Sequence, residues 1–206
     1  MKLTIFGASS ATGKLLVERA LAEGHTVTAF VRDPSRLEIA HESLRVISGD
    51  ALNPAQVTEA VQGSDAVLST LGPRGKPAVM AADCTRNIVS AMEAHGVKRL
   101  VVISVAGIAV EQDQRGSNFI DGLIKFFLKD AYTDRENQLK VLQASHADWV
   151  AVRVPRLTDG APTGSVKAFF GTPSPSMKIT RADLADFMLK QVTETRWLRQ
   201  APIVSN

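Results

Sequence analysis

The chain has little of the residue types that direct redox, metal and covalent chemistry. Cys84 is the one cysteine among 206 residues, so no internal disulfide can form. A reducing, cytoplasmic location is therefore expected. Cys84 stands in a helical pattern and is interpreted as a small buried residue. No Cys, His and Asp cluster has the spacing of metal ligands, so we expect no metal.

Long apolar runs and long basic runs are also missing. No apolar stretch approaches the length of a bilayer-spanning helix, and Met1 leads directly into a strand pattern without the segments of a secretory signal. The net charge is +3 and the pI about 9.2, yet no run of Lys and Arg reaches five residues. We predict no membrane partner and no nucleic-acid partner, and we expect the positive excess to attract small anions at a site. A short chain without a long exposed apolar helix favours a monomer.

Tyrosine is scarce as well. A Tyr-x-x-x-Lys pair on one helix face prepares a phenol for proton transfer to a carbonyl. Tyr132 is the one tyrosine, and Glu136 stands where the lysine is needed. This argues against alcohol dehydrogenase, epimerase and dehydratase chemistry. Tyr132 is retained as a candidate catalytic residue, although packing in the core is the favoured interpretation.

Strand patterns alternate with helical patterns along the chain. Strands are predicted over 2–6, 26–31, 44–48, 66–70, 99–104 and 148–153, and helices over 12–23, 54–61, 77–95, 118–128, 133–145 and 180–192. This alternation predicts an α/β fold: a Rossmann-type doubly wound parallel sheet with helices on both faces, in a single domain of residues 1–206. A loop is predicted at 106–117. Gly and Pro cluster after Pro155, so 156–180 is predicted to form a small loop-rich lobe beside the substrate, with a short strand at 165–170 and an edge strand at 203–204.

A small-residue turn follows the first predicted strand and opens the first helix. Gly7 and Gly13 flank Ser10, which replaces the middle glycine of a G-x-x-G-x-x-G pattern. A turn of this kind lets backbone N–H groups approach a pyrophosphate at the start of a helix. A triphosphate-binding P-loop is excluded, because Ala8 takes its first glycine position and Leu15 follows the lysine.

The residues after the second strand indicate which dinucleotide would bind. NAD sites place an acidic residue there for the ribose 2′-hydroxyl, whereas NADP sites favour arginine for the 2′-phosphate. This chain has Arg32, with Arg36 one turn later, and Asp33 is expected to cap the turn at Pro34. We therefore predict NADP(H) in preference to NAD(H).

Three further strand ends should meet at the same edge of the sheet. Asp50 follows the third strand, where it could meet the adenine or cap the next segment. Leu71 and Gly72 follow the fourth strand and leave the backbone room for the diphosphate. Ser104 ends the fifth strand, where it could donate a hydrogen bond to a substrate or to the nicotinamide carboxamide, although no adjacent base makes it a nucleophile.

These segments together resemble a known family, the NmrA-like atypical short-chain dehydrogenases/reductases, and within it the biliverdin-IXβ and flavin reductases. The matching segments are distributed along nearly the whole chain: 6–13, 31–37, 49–50, 86–89, 94–97, 153–160 and 180–185. The resemblance implies a Rossmann-type NADP-binding domain with a shallow substrate pocket over the nicotinamide. It also implies hydride transfer to flavins or tetrapyrroles without a Tyr–Lys pair.

The resemblance implies a cofactor role for residues in each of these segments. Those implied for the pyrophosphate are Ser9, Ser10, Ala11 and Thr12, and those for the 2′-phosphate are Arg32 and Arg36. Asp50 and Ala51 are implied beside the adenine, Leu71, Gly72 and Arg74 beside the diphosphate and ribose, and Pro155, Arg156 and Leu157 beside the nicotinamide.

Three functions follow as hypotheses. The leading one is an NADPH-dependent reductase of a small planar acceptor such as a flavin, quinone or tetrapyrrole. The second is an NADP(H)-binding redox sensor of NmrA-like type without turnover. The third, an NAD(P)-dependent epimerase or dehydratase, is disfavoured by Glu136.

Overall fold

The computed structural model describes residues 1–72, 80–113, 129–172 and 177–206, which form a mostly parallel sheet flanked by helices. The strands are β1 (Lys2–Phe6), β2 (Thr26–Val31), β3 (Leu44–Ser48), β4 (Ala66–Ser69), β5 (Arg99–Val105), β6 (Asp148–Val154), β7 (Arg156–Thr158), β8 (Lys167–Phe169), β9 (Lys178–Thr180) and β10 (Ile203–Ser205). The helices are α1 (Ala11–Ala22), α2 (Pro54–Val61), α3 (Ala81–Ala94), α4 (Lys129–Ala144) and α5 (Arg181–Lys190). None of these described helices is long and apolar enough to cross a membrane.

The main sheet has the strand order β3-β2-β1-β4-β5-β6-β10-β8. Strands β1 to β6 pair in parallel, and the chain passes from the outer strand β3 across to β4, on the other side of β1. The order therefore reverses between β1 and β4. Such a switch point opens a crevice at the carboxyl ends of the strands, where ligands of open α/β sheets bind. The predicted Rossmann-type fold is confirmed.

Two apolar layers hold the helices against the sheet. On one face, Leu16 of α1 and Met188 of α5 join the core; on the other, Ile88 of α3 and Leu142 of α4 do so. All four side chains are fully buried. Cys84 belongs to the second layer, where burial raises the pKa of its thiol to about 12. The prediction of a small buried cysteine is confirmed.

The C-terminal segment departs from the predicted pattern. Residues 203–204 were predicted as an edge strand, which is wrong: β10 lies between β6 and β8, parallel to the first and antiparallel to the second. Strand β8 takes the edge because it folds back onto β10, a long-range pairing that no local pattern encodes. Strands β7 and β9 form a separate parallel pair that was not predicted. The predicted helix at 118–128, the start of the one at 77–95 and the end of the 106–117 loop lie outside the described residues.

Asp183 ties this C-terminal segment together. The residue is 1% exposed, and its carboxylate accepts hydrogen bonds from the Thr163 and Gly164 backbone N–H groups, the Thr163 and Thr180 hydroxyls and the Asn206 amide. Although burial opposes ionisation, these donors lower the pKa of Asp183 to about 2. The ionised carboxylate therefore stabilises the start of α5 and the loop before β8.

Asp183→Asn is expected to lower the free energy of unfolding at pH 7 by roughly 2 kcal/mol, since the folded-state pKa lies below the ordinary value of 3.8. Because the pKa of Asp183 is lowered by folding, its contribution to stability is fully present above the unfolded-state pKa. This contribution is lost as the pH falls through the folded-state pKa. About half of the difference between wild type and variant should disappear by pH 3. Urea denaturation at pH 7 and pH 3 measures the difference in the free energy of unfolding. Glu93→Gln, at an exposed position, is the control. A difference that stays constant with pH would contradict the carboxylate's role.

Candidate functional site: a dinucleotide-binding crevice

The turn between β1 and α1 has a backbone that two glycines make possible. Gly7 has φ +74°, a backbone angle that residues with a side chain rarely adopt. A Cβ there would lie 2.9 Å from Thr70 Oγ1. A Cβ on Gly13 would lie 2.2 Å from the Gly7 carbonyl oxygen. The first helical turn is therefore packed directly on the end of the strand, as the glycine spacing predicts.

Ser10 caps α1 and connects the turn to β4. Its Oγ accepts the Gly13 N–H at 3.0 Å and lies 3.1 Å from Thr70 Oγ1. Thr70 Oγ1 in turn lies 3.0 Å from the Gly7 carbonyl oxygen. Because the Ser10 oxygen accepts one bond, its hydrogen is free to point to Thr70, which then donates to Gly7. The serine in place of the middle glycine is thus the N-cap of the helix.

The start of α1 offers donors to an anion. The N–H groups of Ala11 and Thr12 belong to the first turn and have no acceptor within the helix. The first turn carries no acidic residue, so the positive end of the helix dipole is not neutralised there. With Ser9 beside them at the rim of the crevice, these groups form a cradle that fits a pyrophosphate.

A cleft, here called the narrow cleft, extends from this turn towards β2 and β3. Its described lining residues are Gly7, Ser9, Ser10, Phe30, Val31, Arg32, Gly49, Asp50, Ala51, Thr70, Leu71, Gly72 and Met80. The predicted residues Arg32, Asp50, Ala51, Leu71 and Gly72 are therefore brought together in one cleft, at the ends of four adjacent strands.

Arg32 projects at the mouth of the narrow cleft. It is exposed and makes no ion pair with any residue in the described ranges. Asp33, the neighbouring acid, accepts hydrogen bonds from the Ser35 hydroxyl at 2.6 Å and the Ser35 N–H at 3.1 Å. The Ser35 hydroxyl contributes most to lowering the pKa of Asp33. The predicted cap is confirmed. Arg36 is exposed in the next turn and is not among the lining residues.

Asp50 caps a turn, as one of the two sequence interpretations predicts, and it also lines the narrow cleft, where its contact with an adenine stays a prediction. Its carboxylate accepts the Leu52 N–H at 3.0 Å, and its own N–H donates to Gln56 Oε1 at 2.9 Å. The next residue, Ala51, is buried, and its carbonyl accepts Asn87 Nδ2 at 3.0 Å. The floor of the cleft is thereby fixed to α2 and α3.

A second cleft, here called the wide cleft, continues from the same turn towards β5 and β6 and has a volume of about 450 Å³. Its described lining residues are Ser10, Ala11, Thr12, Thr70, Gly72, Ile103, Ser104, Val105, Arg135, Val154, Pro155, Leu157 and Arg181. Both clefts share Ser10, Thr70 and Gly72, and a Cβ on Gly72 would meet nothing within 4 Å. An extended ligand can therefore cross the switch point from one cleft to the other.

Ser104, near the end of β5, is one of the polar residues that line the wide cleft. The residue is 2% exposed, and its Oγ is buried without a hydrogen-bond partner among the residues the structure describes. A buried hydroxyl without a partner costs free energy unless a ligand satisfies it. A bound amide or carbonyl would supply the missing acceptor or donor.

Two further predicted site residues, Arg156 and Tyr132, line neither cleft. Arg156 is exposed on β7, although Pro155 and Leu157 on either side of it line the wide cleft. Tyr132 packs on Gly107, where a Cβ would lie 2.4 Å from its ring, and it joins the core of the second face. This position suits packing, the favoured interpretation. Arg74 lies outside the described residues.

Sequence reasoning missed two neighbours on α4. The Asp134 carboxylate accepts the Met80, Ala81 and Ala82 N–H groups at 2.8–3.1 Å, and so caps α3 from another helix. Arg135 is 4% exposed and donates to the carbonyl oxygens of Leu71 and Ile103 at 3.0 and 3.1 Å. Their partners are 32 to 64 residues away in sequence, so no local signal identifies them.

Arg135 joins β4, β5 and α4 at the base of the wide cleft. Its guanidinium also donates to Gln138 Oε1 at 3.0 Å, and Gln138 Nε2 continues to Thr85 on α3. Burial lowers the pKa of Arg135, which the charge of Asp134 opposes. A buried positive charge therefore stands beneath the switch point.

A glycine turn, a helix start without acid, and a crevice divided at the switch point define a dinucleotide-binding α/β protein. The sequence matches a family described as NAD(P)H-binding over residues 7–195. The chain belongs to this NAD(P)H-binding family, and the predicted resemblance is confirmed at that level.

The relatives and solved structures similar to this chain include several reductases. A 2-alkyl-3-oxoalkanoate reductase of Shewanella oneidensis is 30% identical over 124 residues, which are 55% of this chain and 31% of that protein. The chain thus spans about a third of that relative. ChuY, an anaerobilin reductase from Escherichia coli, has a TM-score of 0.82 at 21% identity, covering 100% and 97% of the two chains. A short-chain dehydrogenase/reductase of Veillonella parvula in complex with NADP has a TM-score of 0.81 at 18% identity, covering 100% and 94%.

Proposed function

We propose that this protein is an NADPH-dependent reductase of a planar acceptor of the flavin, quinone or tetrapyrrole class. The observation that carries the proposal is the wide cleft, which apolar side chains line together with Ser104, whose hydroxyl has no hydrogen-bond partner among the described residues. Bound NADPH would supply hydride from its nicotinamide ring. The chain's own residues would position both partners and exclude water.

The lining of the wide cleft favours an acceptor that needs little acid–base help. Its described lining residues include no Asp, Glu, His, Lys, Cys or Tyr. Reactions that begin with proton abstraction from carbon need a positioned base, as in epimerases and dehydratases. Reduction of a conjugated ring system needs mainly alignment, with the proton coming from solvent or the Ser104 hydroxyl. Apolar lining residues such as Val105, Val154 and Pro155 suit an apolar ring system.

The narrow cleft supports NADP(H) in preference to NAD(H). Arg32 offers a guanidinium with no described ion-pair partner at the end of β2, where a 2′-phosphate would lie. The Asp33 carboxylate, which could otherwise accept from a ribose hydroxyl, is engaged by Ser35. The N–H groups in the first turn of α1 would bind the pyrophosphate, which joins the adenosine half of the cofactor to its nicotinamide half.

Mixing the protein with NADPH and FMN should consume NADPH, followed as loss of its absorbance. Ser104→Ala should slow turnover roughly tenfold, because one hydrogen bond to the reacting partners is lost. The exposed Ser165→Ala is the matched control and should leave turnover unchanged. Tight NADPH binding without turnover over a panel of flavins and quinones would overturn the reductase and favour the redox-sensor hypothesis.

A further inference from the structure

The wide cleft has an unbalanced charge. Its described lining residues include two guanidinium groups, Arg135 and Arg181, and no carboxylate. Six of the eleven other described lining residues have apolar side chains. A cleft with one sign of charge and low-dielectric walls raises the local concentration of ligands of the opposite sign.

Arg135 is a permanent part of this positive wall. Its described hydrogen-bond partners are two backbone carbonyls and the Gln138 amide, all neutral groups. The oxygens of the adjacent Asp134 accept three backbone N–H groups at the start of α3. The guanidinium is 4% exposed and tied to three elements, so it contributes charge to the cleft without being free to move.

Arg181 differs because it is accessible and only lightly held. It is the first residue of α5, whose N-cap Thr180 fixes the backbone by accepting the Asp183 N–H at 3.0 Å. Its side chain is 25% exposed and makes one contact of 2.7 Å with Asp159, which is 90% exposed. A single-contact pair with a solvated carboxylate contributes little, and an anion bound in the cleft can replace it.

We propose that Arg181 binds an anionic group, a carboxylate or phosphate, on the acceptor and releases Asp159 when it does so. The proposal rests on the proposed function, since it specifies the acceptor of the same cleft as an anion. Arg181 stands with Leu157 and Pro155 on the wall formed by the C-terminal segment. The pyrophosphate of a dinucleotide has its own donors at Ala11 and Thr12, in the first turn of α1.

Riboflavin and FMN form a matched pair of probes, because they share the ring system and differ by one phosphate. Their binding to the NADP⁺-loaded protein, followed by flavin fluorescence, requires no turnover. Wild type should bind FMN about tenfold more tightly than riboflavin, and Arg181→Gln should abolish this preference while leaving riboflavin affinity within about twofold. Asp159→Asn should strengthen FMN binding, because it removes the competing carboxylate.

Arg45→Gln is the control, since it removes an exposed guanidinium that pairs with Glu59 away from the clefts and should change neither affinity. Equal losses for both flavins, or no loss, in Arg181→Gln would overturn the inference and leave the reductase proposal standing. A weaker affinity for NADP⁺ in the same variant would assign Arg181 to the cofactor and also overturn it. Binding of neither flavin to wild type would reject the flavin class and this inference together.

Discussion

Replacing Arg32 with glutamate is expected to weaken NADPH binding about a hundredfold and to leave NADH binding within about threefold. The variant loses a charge-assisted hydrogen bond to the 2′-phosphate and places a carboxylate beside it. Arg32 lines the narrow cleft at the end of β2 and makes no ion pair with any described residue, so the substitution breaks no described ion pair. The effect should therefore be confined to the cofactor that carries the phosphate.

Calorimetric titration with NADPH and NADH measures both dissociation constants. Arg36→Glu is the matched comparison, because Arg36 is exposed one turn later and is not among the residues that line the narrow cleft. Its effect on NADPH should be clearly smaller than that of Arg32→Glu. Equal losses for NADPH and NADH in Arg32→Glu would contradict the assignment of this residue to the 2′-phosphate.

Arg153→Met is expected to lower the free energy of unfolding by about 3–5 kcal/mol. Arg153 is fully buried on β6 and makes two bonds of 2.6 and 2.7 Å to the carboxylate of Asp113. It also donates to the carbonyls of Ile108 and Ala201, both at 2.7 Å. Methionine fills much of the volume but leaves a carboxylate and two carbonyls without their donor.

The charge on Asp113 makes this loss larger than a packing change alone. Although burial opposes its ionisation, the bonds from Arg153, Gly171 N–H and Val110 N–H lower the pKa of Asp113. Without Arg153, an ionised carboxylate remains partly buried between the loop after β5 and Gly171. The double variant, Arg153→Met with Asp113→Leu, also removes the charge of the carboxylate. It should recover part of the stability that Arg153→Met loses.

Urea denaturation of the two single variants and the double variant forms the thermodynamic cycle. Arg86→Met removes an exposed pair with Asp83 and should change the free energy of unfolding by less than about 0.5 kcal/mol. Additive losses in the double variant would show that the two residues act independently and would contradict a stabilising ion pair.

The sequence determined those features whose cause lies within a few residues. The Gly7–Gly13 turn follows from local backbone sterics, since only glycine allows a positive φ at one end and contact with a carbonyl at the other. The order of strands and helices follows from apolar periodicity and predicts the parallel sheet. In such a sheet the carboxyl ends of the strands share one edge, so Arg32, Asp50 and Ser104 could be placed on the same side before the structure was known.

The tertiary structure decided what depends on contacts between distant segments. Thr70 joins the glycine turn across 63 residues, Asp134 caps a helix more than 50 residues earlier, and Arg135 enters the wide cleft from α4. The pairing of β10 between β6 and β8 is of the same kind. A side chain's partner across a fold is fixed by packing of whole elements, which single-residue preferences and periodicity do not encode. The positive wall of the wide cleft therefore emerged from the tertiary structure, whereas the cofactor turn was already evident in the sequence.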